Sequence, residues 1–394
     1  MWYPSHMQEV RVISSRVFIW PGIHAELGEN IRVLAPGARQ VFIFTDRKCI
    51  PIARRVAMSL MQENFELGGY AMYPGERRKN LRTALGVYNK MSRTQMGREC
   101  AFVTVGGGVV SDLGCFVAST YKEGVRLFHV PTTLVAQVDA ALGGKAGLNL
   151  KDGRNLVTAF RQPTAVFVDP SLLETLPPRE YRAGLAEVVK YAMVREADLL
   201  AFLEENIDAL QARKAALLEE VVFRCASIKA AVEQDGKETV DRALLTYGHT
   251  IGHALEAAGG YRKIHPGDAL AVGMEAEASI AERMGIAPPG VAKAQNRILT
   301  LLDLPTRVRG LSCEKVLEAM ELDRKAGGAP PRFVLPETVG QARTGIEVPP
   351  DIMEAALRSV LLPGRRIRAV TPMAPWEPSE EVREPAPSAE TSSN

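Results

Sequence analysis

Short β-rich runs alternate with amphipathic stretches through the first half of the chain, and no other feature limits its fold as strongly. Arg16–Trp20, Arg39–Asp46, Cys100–Val105, Arg126–Pro131 and Thr164–Asp169 read as strands. Between them, Ile50–Asn64 and Asn80–Arg93 carry apolar residues at helical spacing. Such a series predicts a mostly parallel sheet with helices on both faces, binding its ligand at the carboxyl ends of the strands. Beyond about Pro177 the β-runs stop. Ala197–Asp235 is a nearly continuous helical pattern in which Leu199, Phe202, Leu203, Ile207 and Leu210 make a core stripe. Asp235 and Lys237 are expected in a turn before a helix through Arg242–Thr250. Gly285–Gly290 separates later helices, and Arg332–Gly340 is a candidate strand pair. From about Ala369, Pro, Glu and Ser dominate, which predicts a disordered tail. The expected division is therefore an α/β domain over 1–177, a helical domain over 178–368 and a tail over 369–394.

A chain of 394 residues can bury two domain-sized cores, and its 46% hydrophobic and 24% charged residues are those of an ordinary globular protein. A formal charge of +2 gives no electrostatic case for nucleic acid or an anionic membrane. No apolar run approaches the roughly 18 residues of a membrane span, and the opening MWYPSHMQEVRV lacks the pattern of a secretory leader. Cys49, Cys100, Cys115, Cys225 and Cys313 are scattered, with no CxxC spacing. They read as reduced thiols, and the expected location is the cytoplasm.

The sharpest element of the first half is CAFVTVGGGVVSD, where a strand ends at Val105, Gly106–Gly108 follow, and a helix begins near Val109. Glycines let a diphosphate approach the backbone, and a helix N-terminus offers free N–H groups to anions. The same three glycines also suit a plain strand-to-helix turn. Asp46, at the end of its strand, can accept a ribose hydroxyl, and Glu76 and Lys79 stand in a Gly-containing turn before a helix. Each of these reads equally as a solvated surface charge. His129–Pro163 is poor in periodicity and rich in Gly, Thr, Asp, Lys and Asn, as a binding loop would be. It offers Asp139, Lys145, Asn149, Arg154 and Asn155, cations among them suited to phosphate or carboxylate oxygens.

Glu187 to His265 concentrates the remaining chemistry. Glu187 and Lys190 lie in AGLAEVVKYAMV, which reads as one helix. Of six histidines in the chain, His249, His253 and His265 fall within seventeen residues. His249 and His253 are four apart, on one helix face. Two neutral imidazoles and a carboxylate suit a divalent metal, zinc above all. A packed or capping histidine pair is an equal reading of the spacing alone.

GGGVVSD, VPTTLVAQVDAALGGK, GRN, AFRQP, LETLPPREYRAGLAEVVKY and YGHTIGHALE occur in this order. Together they resemble the 3-dehydroquinate synthase family and its sugar-phosphate cyclase relatives, from about residue 10 to 340. The resemblance implies a Rossmann-like α/β NAD-binding domain, then an all-α metal-binding domain, with the active site between them. It implies zinc, or another divalent ion such as cobalt, on Glu187, His249 and His265. His253 would then lie near the substrate phosphate and bind no metal. NAD would meet Gly106, Gly107, Gly108, Asp112, Asp46, Glu76, Lys79, Thr132, Thr133, Asp139 and Lys145. Lys145, Arg154, Asn155, Lys190, Lys229, Arg242 and His253 would meet the substrate. The implied activity is that of a carbon–oxygen lyase. NAD transiently oxidises C5 of 3-deoxy-arabino-heptulosonate 7-phosphate, phosphate leaves, hydride returns, and an aldol step closes the ring. A homodimer is implied as well.

Several positions depart from the family pattern. Arg154 replaces a usual Lys, Thr246 a usual Asn, and Ala146 a usual Thr. Pro266 is an additional residue after His265, and Glu123 stands where an arginine normally reaches a neighbour's phosphate. Lys122 or Lys151 would have to replace that arginine, or the substrate differs. Asp323, Arg324 and Lys325 resemble a late element that reaches the site, with Lys325 the favoured cation. Lys229 and Arg242, as partners for a carboxylate, favour a sugar acid over sedoheptulose 7-phosphate. The alternatives are an amino-dehydroquinate synthase, a sedoheptulose 7-phosphate cyclase, a metal-dependent polyol dehydrogenase and a non-catalytic NAD-binding homologue.

Overall fold

The computed structural model describes residues 8–150, 153–233, 240–327 and 331–363. Its α/β half contains β1 (Gln8–Val12), β2 (Ser15–Ile19), β3 (Gln40–Asp46), β4 (Glu66–Met72), β5 (Ala101–Gly106), β6 (Arg126–Pro131), β7 (Lys145–Leu148), β8 (Val157–Phe160) and β9 (Ala165–Val168). The sheet runs in the order β1-β2-β9-β6-β5-β3-β4. All its pairings are parallel except β1 with β2. Along β3, Val41 and Ile43 face one core while Phe42 and Phe44 face another, the period-two alternation of a strand covered on both sides. The first core is closed by α1 (Leu27–Leu34) and α2 (Ile50–Gln62), the second by α3 (Leu81–Arg93) and α4 (Gly108–Thr120).

The strands expected from sequence are all present, but β1 and β4 are additions. β4, ELGGYAM, has two glycines and polar residues and lies at the sheet's edge, so it lacks the apolar run that marks its neighbours. The presumed loop over His129–Pro163 is largely ordered as well. A π-helical turn spans Ala136–Ala140, and β7 and β8 form an antiparallel hairpin against α4.

The helical half begins with α5 (Pro178–Arg195), followed by α6 (Ala197–Glu205), α7 (Ile207–Gln211), α8 (Ala215–Val232), α9 (Val240–Ala243), α10 (His249–Ala258), α11 (Pro266–Arg283), α12 (Val291–Leu301) and α13 (Cys313–Gly327). The pattern over Ala197–Asp235 is thus three helices, broken at Asn206 and at Arg213, whose φ is 54°. The helix expected over Arg242–Thr250 is also broken: a 3₁₀ turn covers Leu244–Thr246, and Gly248 adopts φ 76° before α10 begins at His249. Phe333–Thr338 takes up the stretch expected to hold a strand pair, and its antiparallel partner, Gln341–Ile346, lies beyond it. Asp235, Lys237, Lys151, the side chains of Asp323, Arg324 and Lys325, and the tail from 364 lie outside the described residues.

Every residue of α5 from Ala183 to Val194 is buried, as for a helix surrounded by protein. Its core is shared with α8, α10 and α11, and with Val10, Val12, Val17 and Ile19 of β1 and β2. The two halves are therefore one packed body at that corner of the sheet.

Helices α10 and α11 touch backbone to backbone. A Cβ on Gly273 would stand 2.1 Å from the Gly248 carbonyl oxygen and 2.9 Å from the Gly252 nitrogen. Gly273→Ala will therefore lower stability by about 3 kcal/mol, because neither backbone can yield without moving its helix. A shifted urea midpoint measures it.

Four residues along α11, Glu277 is fully buried and accepts the Gly248 N–H at 2.6 Å. Burial pushes its carboxyl up to about 8 against the pull of the Gly248 and Ile251 N–H groups. The folded chain then keeps a proton that the unfolded chain loses near the ordinary value of 4.5. Stability falls as pH rises from about 4.5 to about 8 and is flat above. Glu277→Gln will remove that slope in urea unfolding at pH 5 and pH 8.

Candidate active site

A cleft of about 760 Å³ lies between the carboxyl ends of the strands and the helical half. On the sheet side, Gly107 caps α4 and Gly108 begins it, so the turn directs the first N–H groups of α4 toward the cleft. Gly106 ends β5 behind them. Thr132, Thr133, Asp46 and Glu76 complete this wall. Asp46 accepts the Lys48 and Cys49 N–H groups at 2.7 and 3.2 Å, and Glu76 accepts Asn149 Nδ2 at 2.7 Å. Lys79 is buried behind the wall, paired with Asp112 and donating to Asn155 Oδ1 at 2.6 Å. It fixes those two side chains and does not line the cavity.

On the helical side the cleft meets Glu187, His249, His253 and His265. Lys190, 1% exposed, lies beneath with its Nζ 2.6 Å from Glu187 Oε2. This short charge contact pairs the two buried groups. Burial disfavours the Glu187 carboxylate, yet Lys190 and His249 outweigh it and hold its pKa below the usual value. His249 Nδ1 is 3.2 Å from the Tyr247 carbonyl. A carbonyl only accepts, so Nδ1 carries a proton and Nε2 faces Glu187 Oε1, 3.6 Å away. That gap is too long for a hydrogen bond. It is close to the roughly 3.4 Å between two donors on one zinc ion. The pair therefore fits a divalent cation.

His265 caps α11, with Pro266 at the first helical position where proline is favoured. Its Nδ1 accepts the Gly267 N–H at 3.4 Å, and its Nε2 is 3.4 Å from Glu180 Oε1. Among the described residues no three His, Cys, Asp or Glu side chains stand as they would around an ion. Glu187 and His249 face each other while His265 is turned to Glu180.

Arg154 bonds Glu256 at 2.8 Å and lies over the Tyr261 ring at 4.4 Å, all three lining the cleft. Glu180 and Glu256 were not singled out from sequence. Each stands seven residues from an expected ligand, Glu180 from Glu187 and Glu256 from His249. Two helical turns put each pair on one face, so the signal was present.

A side cavity of about 250 Å³ shares Asp112 with the cleft. Lys145, Asp139, Asn155, Lys229 and Arg242 line it, which brings three of the expected cations together, while Arg154 lines the cleft and Lys190 lines neither. Lys229 donates to Asp139 Oδ1 at 2.6 Å and to its carbonyl at 2.8 Å, and Tyr191 donates to the same carboxylate at 2.9 Å. Burial works against the Asp139 charge, but Lys229 and Lys190 hold its pKa well below the carboxylate range. Asp139, expected against the nucleotide, thus lines the substrate-sized cavity. Glu123 pairs with Arg98 at 3.1 Å on an exposed surface, and neither it nor Lys122 lines either cavity.

A glycine turn at strand ends facing a buried carboxylate and half-buried imidazoles defines a class: an enzyme whose cleft joins an α/β sheet to a helical domain. The chain belongs to the 3-dehydroquinate synthase family, whose N-terminal profile matches residues 69–183 and whose C-terminal profile matches 184–326. It is 38% identical over 351 residues to the 3-dehydroquinate synthase of Nostoc punctiforme, covering 88% of this chain and 97% of that one. It is 39% identical over 333 residues to that of Gloeobacter violaceus, covering 84% and 92%. A solved 2-deoxy-scyllo-inosose synthase, complexed with carbaglucose-6-phosphate, NAD+ and Co2+, superposes with a TM-score of 0.81 at 26% identity, covering 90% of this chain and 100% of that one. No described helix is long and apolar enough to cross a membrane.

Proposed function

We propose that the cleft converts 3-deoxy-arabino-heptulosonate 7-phosphate to 3-dehydroquinate and phosphate, in the cytoplasm and as a homodimer. The observation that carries this reading is one cleft with a helix-capping glycine turn on one wall, Glu187 and His249 on the other, and beside them a side cavity to which Lys145, Lys229 and Arg242 contribute. When bound, NAD supplies a reversible hydride acceptor and a divalent ion such as zinc polarises the reacting hydroxyl.

Glu187, His249 and His265 would hold the ion, with His265 exchanging Glu180 for it. The glycine turn, Asp46, Glu76, Thr132 and Thr133 would hold the nucleotide. Lys229 and Arg242 hold the substrate carboxylate in the side cavity, which leaves its phosphate to Arg154, Asn155, Lys145 and His253. Oxidation at C5 acidifies the C6 proton, and phosphate departs by β-elimination against these cations. The test is phosphate release from the heptulosonate phosphate with NAD and zinc each omitted in turn. Turnover that needs both supports the reading; release without either, or none with both, removes it.

A further inference from the structure

The side cavity contains a carboxylate that neither the family resemblance nor the cleft geometry assigns. Glu233 is the C-cap of α8, its N–H bonded to the Lys229 carbonyl at 2.9 Å, so the two side chains share the last turn. It is 4% exposed and lines the cavity. One oxygen faces Arg242 at 3.5 Å, while the other is buried with no hydrogen-bond partner. A Cβ added to Gly143, on the opposite wall, would meet Lys229 Nζ at 3.3 Å and both Glu233 oxygens at 3.4 Å. The carboxylate and Lys229 thus converge on one spot, with Arg242 beside the carboxylate. A buried acceptor left unpaired is unfavourable unless a ligand donor completes it.

Resting on the function proposed above, we infer that Glu233 accepts the hydroxyl on the carbon bearing the substrate's carboxylate and relays its proton. With the carboxylate on Lys229 and Arg242, that anomeric hydroxyl is the nearest donor. In ring opening its O–H proton passes to Glu233, the oxygen forms a carbonyl, and the bond to the ring oxygen breaks, leaving an enolate. In the aldol step the enolate's methylene carbon attacks that carbonyl, and the alkoxide formed on the same oxygen takes the proton back from Glu233. No proton is gained or lost overall, and Glu233 acts only after phosphate has left.

Rapid mixing of the NAD- and zinc-loaded protein with the heptulosonate phosphate, following phosphate and cyclised product separately, tests this. Glu233→Gln is expected to release phosphate within about threefold of the parent while cyclised product forms about 100-fold more slowly. Glu233→Asp, which keeps a carboxylate, restores product to within about tenfold. Product keeping pace with phosphate in Glu233→Gln overturns the inference, and so does an equal loss of both with NAD affinity intact. Absence of phosphate release from the parent overturns the underlying reading and the inference with it.

Discussion

His249→Ala will lose its divalent ion and at least about 10³-fold in turnover while keeping its fold. The loss follows from the site: His249 Nε2 and Glu187 Oε1 face each other at 3.6 Å, and alanine leaves one side of that gap empty. Polarisation of a reacting oxygen by a metal is worth several kcal/mol, each 1.4 kcal/mol being tenfold in rate. The fold survives because the His249 ring is half-buried in the cleft wall, and Gly248, which sets the start of α10, is untouched. Metal content by mass spectrometry, far-UV circular dichroism and phosphate release check the three parts. Near-parental turnover in the variant would remove His249 from the metal site.

Lys229→Met will fail differently, losing both stability and substrate affinity. Lys229 is 5% exposed and holds Asp139 by two hydrogen bonds. Methionine matches its volume and leaves a half-buried carboxylate with Tyr191 as its remaining direct donor. Breaking such a pair costs about 3 kcal/mol, read as a lower urea midpoint. In the parent, the depressed Asp139 pKa means this stabilisation is complete above the unfolded carboxylate value and is lost only as pH falls far below it. In the variant Asp139 takes up a proton at higher pH. With Lys229 on the substrate's non-reacting carboxylate, as proposed, the rise in KM should exceed the fall in kcat. An unchanged KM would place the substrate's acid group elsewhere.

The sheet was legible because β3, β5, β6 and β9 are covered on both faces, and strands of that kind are continuous apolar runs bounded by turn residues. β1 and β4 lie at the two edges, where packing demands less of the sequence, and they escaped notice. The helical half was legible as helical but not in its breaks. Arg213 at φ 54° carries no glycine to announce the turn, while Gly248 does and was read through. At the site, the His249 and His253 spacing predicted neighbouring rings, whose centroids are 5.6 Å apart. Which way His265 turns depends on Glu180, a partner set by tertiary packing. Glu233 and Glu277 look like solvated helix charges in the sequence; only burial distinguishes them.

The shared core at the β1–β2 corner has a mechanical consequence. Val10, Val12, Val17 and Ile19 belong to the same packed cluster as α5 and α8, so swinging one half away from the other would strip apolar surface bare. That corner therefore resists separation of the two halves, and any opening of the cleft has to pivot about it.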